Sequence, residues 1–270
     1  MRRGVHEGYP YSLSRWTDLP ASKWEWFATQ LAERSMVAFD PRTGLPDRWS
    51  LDPMDTLGLI FWTRNGEHLV RNASLLRAYR TVVHFTLTGW KEVERRTPDL
   101  TQGIDGLGRL VDTFGPGNVT WRFSPVPAVS DVLRRFEVVA AAASRMGLQR
   151  VYVAFLQSND WQPEPRSRQE RQALLASMAA ATELAVVLCN DDVELVPSPD
   201  AGWSKGVCED GQRFGIGPRA EACGCALAVD PFTQNEACRY GCLYCYAGNK
   251  GTASKKRNTT RLPVVRGPGL

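Results

Sequence analysis

The sequence predicts an α/β fold, with a (β/α)6 core forming a partial or near-closed TIM-like barrel and a cysteine-rich C-terminal extension. Three observations carry that expectation. Over residues 9–190, six apolar, β-branched stretches recur, and each but the last is followed by a helical pattern. Alternation of this kind gives a mainly parallel sheet covered by helices. No G-x-G-x-x-G follows the first strand, which disfavours a dinucleotide-binding sheet. After Asn190 the periodicity fades and Gly, Pro and Cys take over, so residues 191–249 read as a metal-ordered extension and not as an independent hydrophobic domain.

The elements follow in order. "YSLSRW" (11–16) is the first strand. "DLPASKWEWFATQLAER" is a helix, with Asp18 as its cap and Trp24, Phe27, Ala28 and Leu31 spaced along one face. "LGLIFWT" (57–63) is a buried-type strand, followed by a helical stretch around 66–79. "TVVHFTLT" (81–88) is a third strand, rich in β-branched and aromatic residues. A helix around 101–113 leads to "NVTWRF" (118–123), and Ser130 is placed to cap a helix over 131–146 that Gly147 ends. "RVYVAFL" (150–156), a helix near 166–182 and "LAVVLC" (184–189) complete the core.

Polar residues interrupt these strands where a pure core would have none. Alternation puts His84, Thr86 and Thr88 on one face of their strand, and Thr120, Arg122 and Ser124 on one face of theirs. Arg15, Thr17 and Asp18 end the first strand; Thr63, Arg64 and Asn65 end the second. In parallel α/β folds the carboxyl ends of the strands build the ligand site. Arg15, Asp18, Arg64, His84 and Arg122 are therefore the candidate catalytic residues, and Thr63, Thr86 and Ser124 candidate cofactor contacts. Arg122, placed mid-strand, is suited to hold a carboxylate or phosphate.

At 43% hydrophobic and 23% charged, the composition is that of a globular protein able to bury a core. No stretch approaches the roughly 20 apolar residues of a membrane span, and the start lacks the apolar segment of a signal peptide. A cytoplasmic protein with no membrane partner is expected. The net charge of +4 is uneven, because residues 246–270 carry six basic side chains and no acid, leaving −2 on the rest. The stretch 250–270 reads as a basic, disordered tail that a nucleic acid could contact. Only three histidines are present, so hydrolase readings are weak.

Seven cysteines in a reducing compartment read as metal ligands or redox groups. Cys238, Cys242 and Cys245 fall at C-x3-C-x2-C spacing, and Gly241 permits a tight loop between them. Three converging thiolates on a four-iron cubane leave one iron without a protein ligand. Cys189, Cys208, Cys223 and Cys225 make up the number needed for a second, fully ligated cluster or a four-thiolate zinc site. Cys189 alone could equally be a small buried hydrophobe. A zinc-stabilised nucleic-acid-binding module and a non-catalytic iron–sulfur carrier are the alternatives from other classes.

With Tyr244 in its aromatic slot, C-x3-C-x-Y-C resembles the motif of radical S-adenosylmethionine enzymes, spore photoproduct lyase among them. That resemblance implies a [4Fe-4S] cluster on the three cysteines and S-adenosylmethionine on the open iron, with Tyr244 beside the adenine. It also implies a reductant such as flavodoxin or ferredoxin, and a substrate that the motif does not name. More widely, "SLSRWTDLPA", "IFWTRN", "HFTLTGW", "VTWRFSPV" and "ACGCALAVD…CRYGCLYCYAGN" resemble a bacterial family, domain of unknown function 1848, over roughly residues 11–249. All seven cysteines fall where the family pattern has them. Trp16, Gly66 and Ser124 depart from it, standing where the family often has Arg, Pro and an acid.

Overall fold

The computed structural model describes residues 9–14, 16–40, 43–157, 162, 164–189, 194–207, 214–215, 228–232 and 238–245. Its centre is a seven-stranded parallel sheet in the order β1-β4-β5-β6-β7-β8-β9. Six of these strands answer to the six stretches read from the sequence. They are β1 (Pro10–Ser12), β4 (Gly58–Thr63), β5 (Thr81–Thr86), β6 (Val119–Val126), β7 (Arg150–Phe155) and β8 (Ala185–Cys189).

The seventh, β9 (Trp203–Gly206), pairs in parallel with β8 from Val186↔Trp203 to Cys189↔Gly206. It lies in the stretch expected to be extension, and its four residues, Trp-Ser-Lys-Gly, carry no strand periodicity. Backbone hydrogen bonds to a buried neighbour, and not its own side chains, make it a strand. The parallel sheet thus has seven strands where six were expected. Among the described residues no ladder joins β9 to β1. The free side of β1 is instead met by Val229, through Ser12 N–H to Val229 O at 2.8 Å and Val229 N–H to Pro10 O at 3.0 Å. Asp230 in turn bridges to Phe39 at the end of an antiparallel hairpin, β2 (Ser35–Phe39) with β3 (Pro46–Ser50).

The two faces of the sheet differ in chemistry. Leu59, Phe61, Val83, Phe85, Trp121, Phe123, Val151, Val153, Val186 and Leu188 join the main core. There they share one cluster with Phe27 of α2 (Trp24–Glu33), Leu107 of α5 (Leu100–Phe114), Phe136 of α6 (Val132–Arg145) and Leu175 of α7 (Arg168–Ala180). By strand alternation the other face presents Ile60, Trp62, Val82, His84, Thr86, Thr120 and Arg122. Ile60 and Val82 there form a separate cluster with Phe214. Gly58 allows that approach, since a Cβ at this position would collide with Phe214 Cε1.

The helices begin where local chemistry caps them. Asp18 accepts from Ala21 N–H at 3.1 Å, opening α1 (Leu19–Ser22). The continuous helix expected from Asp18 onwards is broken at Lys23, whose φ of −137° is not helical. The helical stretch after β4 divides likewise into α3 (Glu67–Arg71) and α4 (Ala73–Leu76). Capping boxes at Asp99/Gln102 and Ser167/Glu170 start α5 and α7. Ser130, the expected cap of α6, gives way to Asp131, which makes no side-chain cap bond because its carboxylate takes Arg135 at 2.5 Å. Among the described residues no helix is long and apolar enough to cross a membrane.

Candidate functional site

A cavity of about 150 Å³ opens at the carboxyl ends of β1, β4 and β5. Ser14, Trp16, Thr17 and Asp18 reach it from the end of β1; Trp62, Thr63, Arg64 and Thr86 reach it from β4 and β5. Its remaining wall is the loop 238–245, which contributes Cys238, Tyr240, Gly241, Cys242, Tyr244 and Cys245. A loop that begins 152 residues beyond the end of β5 is thus laid over the strand ends.

Local bonds hold the loop there. Arg239 donates to Ala21 O at 2.9 Å and Leu243 N–H to Val93 O at 3.1 Å. Cys245 N–H turns back to Cys242 O at 3.0 Å, and Gly241 takes a φ of +54° that side-chain-bearing residues rarely adopt. The deepest tie is electrostatic. Glu94, 1% exposed, takes Arg64 at 2.8 Å and both accepts from and braces its neighbours: Thr88 donates to it at 2.7 and 2.8 Å, as does the Tyr244 hydroxyl. Arg64 donates also to the Tyr244 hydroxyl at 2.5 Å. Burial opposes the charge on Arg64, but Tyr244, Glu94, Cys242 and Asp18 outweigh it and raise its pKa.

Asp18 serves three parts of the site at once. Its carboxylate accepts from Thr63 Oγ1 at 2.8 Å, from Arg64 N–H at 2.7 Å and from its own helix start. Burial nonetheless pushes its pKa up to about 6, against those three bonds and the Arg64 charge. An acid whose folded pKa exceeds its unfolded value binds the proton more tightly when folded. Folding stability therefore falls as pH rises through the window from about 4 to 6, by about 3 kcal/mol at full effect. Urea denaturation of the metal-free chain across that window is expected to show this slope, and Asp18→Asn to flatten it; an unchanged slope in the variant would contradict the assignment.

Cys238 and Cys242 are not activated. Burial raises Cys238, although backbone N–H groups of Tyr240 and Asp18 bond its sulfur and pull the other way. Burial likewise pushes Cys242 up to about 11, with Arg64 opposing. Nucleophilic and redox cysteines have depressed pKa values, so thiol chemistry is a poor match for this pair. Metal coordination, which displaces the thiol proton on binding, suits it better. The three cysteines share one cavity, and the donor set, three thiols from one short loop, fits an iron–sulfur cluster with one iron left to a small ligand. As they stand, no three His, Cys, Asp or Glu among the described residues are arranged round a single metal ion.

The other expected site residues divide. Thr63, Thr86, Asp18 and Arg64 line the cavity with Tyr244. His84 and Arg122 do not line it but lie beneath Trp62, which does: His84 stacks on the Trp62 ring at 4.3 Å and the Arg122 guanidinium lies 4.6 Å from its centre. Ser124, half-buried on β6, is not among the lining residues. Nor is Cys189, buried at the end of β8. Arg15, Cys208, Cys223, Cys225 and the basic tail lie outside the described residues. Glu94, Ser14 and Tyr240 belong to the site without having been marked by the sequence.

A family model for a domain of unknown function, DUF1848, matches residues 11–247. The chain belongs to the DUF1848 family. Its membership covers the whole sheet and the cysteine loop together. No curated protein matches this DUF1848 chain by sequence. Among solved structures, a candidate phosphonomutase from Burkholderia cenocepacia J2315 aligns with 14% identity and a TM-score of 0.35. That alignment covers 55% of this chain and 61% of the other, and no functional reading is drawn from it.

Proposed function

We propose that this DUF1848 protein is an iron–sulfur enzyme of the radical S-adenosylmethionine type. The observation that carries the reading is the common cavity: Cys238, Cys242 and Cys245 face it together with Asp18, Thr63, Arg64 and Thr86 at the strand ends. The three cysteines would hold the cluster and leave one iron for the amino and carboxylate groups of S-adenosylmethionine. Bound there, that cofactor would, on receiving one electron from a flavodoxin or ferredoxin through the cluster, break its sulfonium S–C5′ bond to give methionine and a 5′-deoxyadenosyl radical able to take a hydrogen atom from a substrate.

The chain's own residues do the positioning. Arg64 sits close enough to Cys242 to favour its thiolate, and the Tyr240 and Asp18 amides direct hydrogen bonds at the Cys238 sulfur. Tyr244, expected beside the adenine, lines the cavity while its hydroxyl is held by Arg64 and Glu94; its ring is thereby fixed as a wall. Arg122 and His84, packed against the Trp62 ring, hold that part of the cavity wall in place.

Anaerobic reduction of the iron-loaded protein with S-adenosylmethionine is expected to yield 5′-deoxyadenosine and methionine. A preparation with full iron and sulfide that forms neither would overturn the proposal.

A further inference from the structure

The cysteine loop has an outer face as well as the inner one that walls the cavity. Tyr240 and Cys242 are buried, while Arg239, Gly241 and Leu243, which alternate with them, are exposed. Leu243 is a large apolar side chain left 40% exposed. Its neighbour in the chain is Cys242, about 3.8 Å away at Cα. Here the outer surface and a proposed cluster ligand are adjacent residues.

The turn beside this face is basic. Leu243 N–H donates to Val93 O at 3.1 Å, which lays the loop against residues 90–97. Lys91, Arg95 and Arg96 are exposed in that turn. The acids near them are engaged: Glu92 pairs with Arg135 at 3.2 Å, Glu94 is buried on Arg64 at 2.8 Å, and Asp99 caps α5. The turn is also held firmly. Lys91 Nζ donates to Thr97 O at 2.6 Å, Thr97 Oγ1 to Glu94 O at 2.8 Å, and Trp90 Nε1 to Pro125 O at 3.0 Å. Fixed positive charges beside an apolar contact suit a negatively charged protein surface, steering its approach and setting its orientation.

We infer that the outer face of the cysteine loop, Leu243 with Lys91, Arg95, Arg96 and Arg239, is where an acidic one-electron carrier protein docks. The inference rests on the proposed function, which requires such a donor but gives it no place on the surface. A reduced carrier seated on Leu243 loses one electron, and the cluster on the other side of the loop gains it. Nucleic acid is the competing polyanion. Leu243 decides against it, since a phosphate backbone is met by cationic and polar groups.

Binding of an acidic flavodoxin to the full chain is measured by calorimetry for the wild type, Arg95→Glu/Arg96→Glu and a control, Arg77→Glu/Arg150→Glu. The control makes the same charge change at exposed positions ahead of β5 and at the amino end of β7, away from the cavity. Arg95→Glu/Arg96→Glu is expected to weaken binding about tenfold, and added salt to weaken the wild type. The control is expected to bind as the wild type does. Equal affinity in all three proteins, or an equal loss in both variants, overturns the docking face. So does a single-stranded oligonucleotide that loses affinity with Arg95→Glu/Arg96→Glu while the flavodoxin does not. Reduction of the same preparations by dithionite keeps the two readings apart. 5′-Deoxyadenosine formed without patch-dependent flavodoxin binding sinks the docking face alone; none formed by fully iron-loaded protein sinks the proposed function.

Discussion

Glu94→Ala is expected to cost about 3–5 kcal/mol of folding stability, the range for removing one partner of a buried ion pair. Glu94 is 1% exposed and the Arg64 side chain 14%, so solvent screens the pair little. Removing the carboxylate leaves Arg64 buried beside Asp18 and the cysteine loop, and takes the acceptor from Thr88 and Tyr244 together. Against a typical total of 5–15 kcal/mol, such a loss approaches the limit of folding. Glu94→Gln keeps an acceptor for Thr88 while removing the charge, and is expected to fall between alanine and wild type. Urea denaturation of the three proteins makes the comparison. A loss within about 0.5 kcal/mol for the alanine variant is what a surface residue would give, and would mean that Glu94 does not brace the loop.

That residue also marks where sequence reasoning stopped. Glu92 and Glu94 stand in one polar run, "KEVERR", and nothing local separates them. Yet the Glu92 side chain is 69% exposed and the Glu94 side chain 1%. What divides them is contact with Arg64 and Tyr244, 30 and 150 residues away, and long-range contact leaves no local pattern. The strands of the core were legible for the opposite reason. "LGLIFWT" and "TVVHFTLT" announce burial by composition within each segment. The strand Trp203–Gly206 was not, since its pairing with Ala185–Cys189 is a backbone property.

The candidate site was legible in the same uneven way. Polar residues at strand ends pointed to Asp18, Thr63, Arg64 and Thr86, and these face one cavity. Alternation placed His84 and Arg122 on the matching face, but depth along the strand decides what a ligand meets, and Trp62 intervenes. Spacing identified Cys238, Cys242 and Cys245 as a unit. It did not reveal that the loop closes over β1 and β4, which rests on bonds from Arg239 to Ala21 and from Leu243 to Val93.

The largest effect belongs to the cysteines themselves. Ligands from one loop would act together, because the proposed cluster would lose all three thiolates of that loop at once. The most direct measurement is the iron, acid-labile sulfide and zinc content of protein purified without oxygen, beside a variant carrying Cys238→Ala, Cys242→Ala and Cys245→Ala. The account predicts that the wild type holds about four irons and four sulfides more than the variant. Iron remaining in the variant would place a second cluster on Cys189, Cys208, Cys223 and Cys225. Stoichiometric zinc without sulfide in the wild type would contradict the account and leave the loop as a structural zinc site.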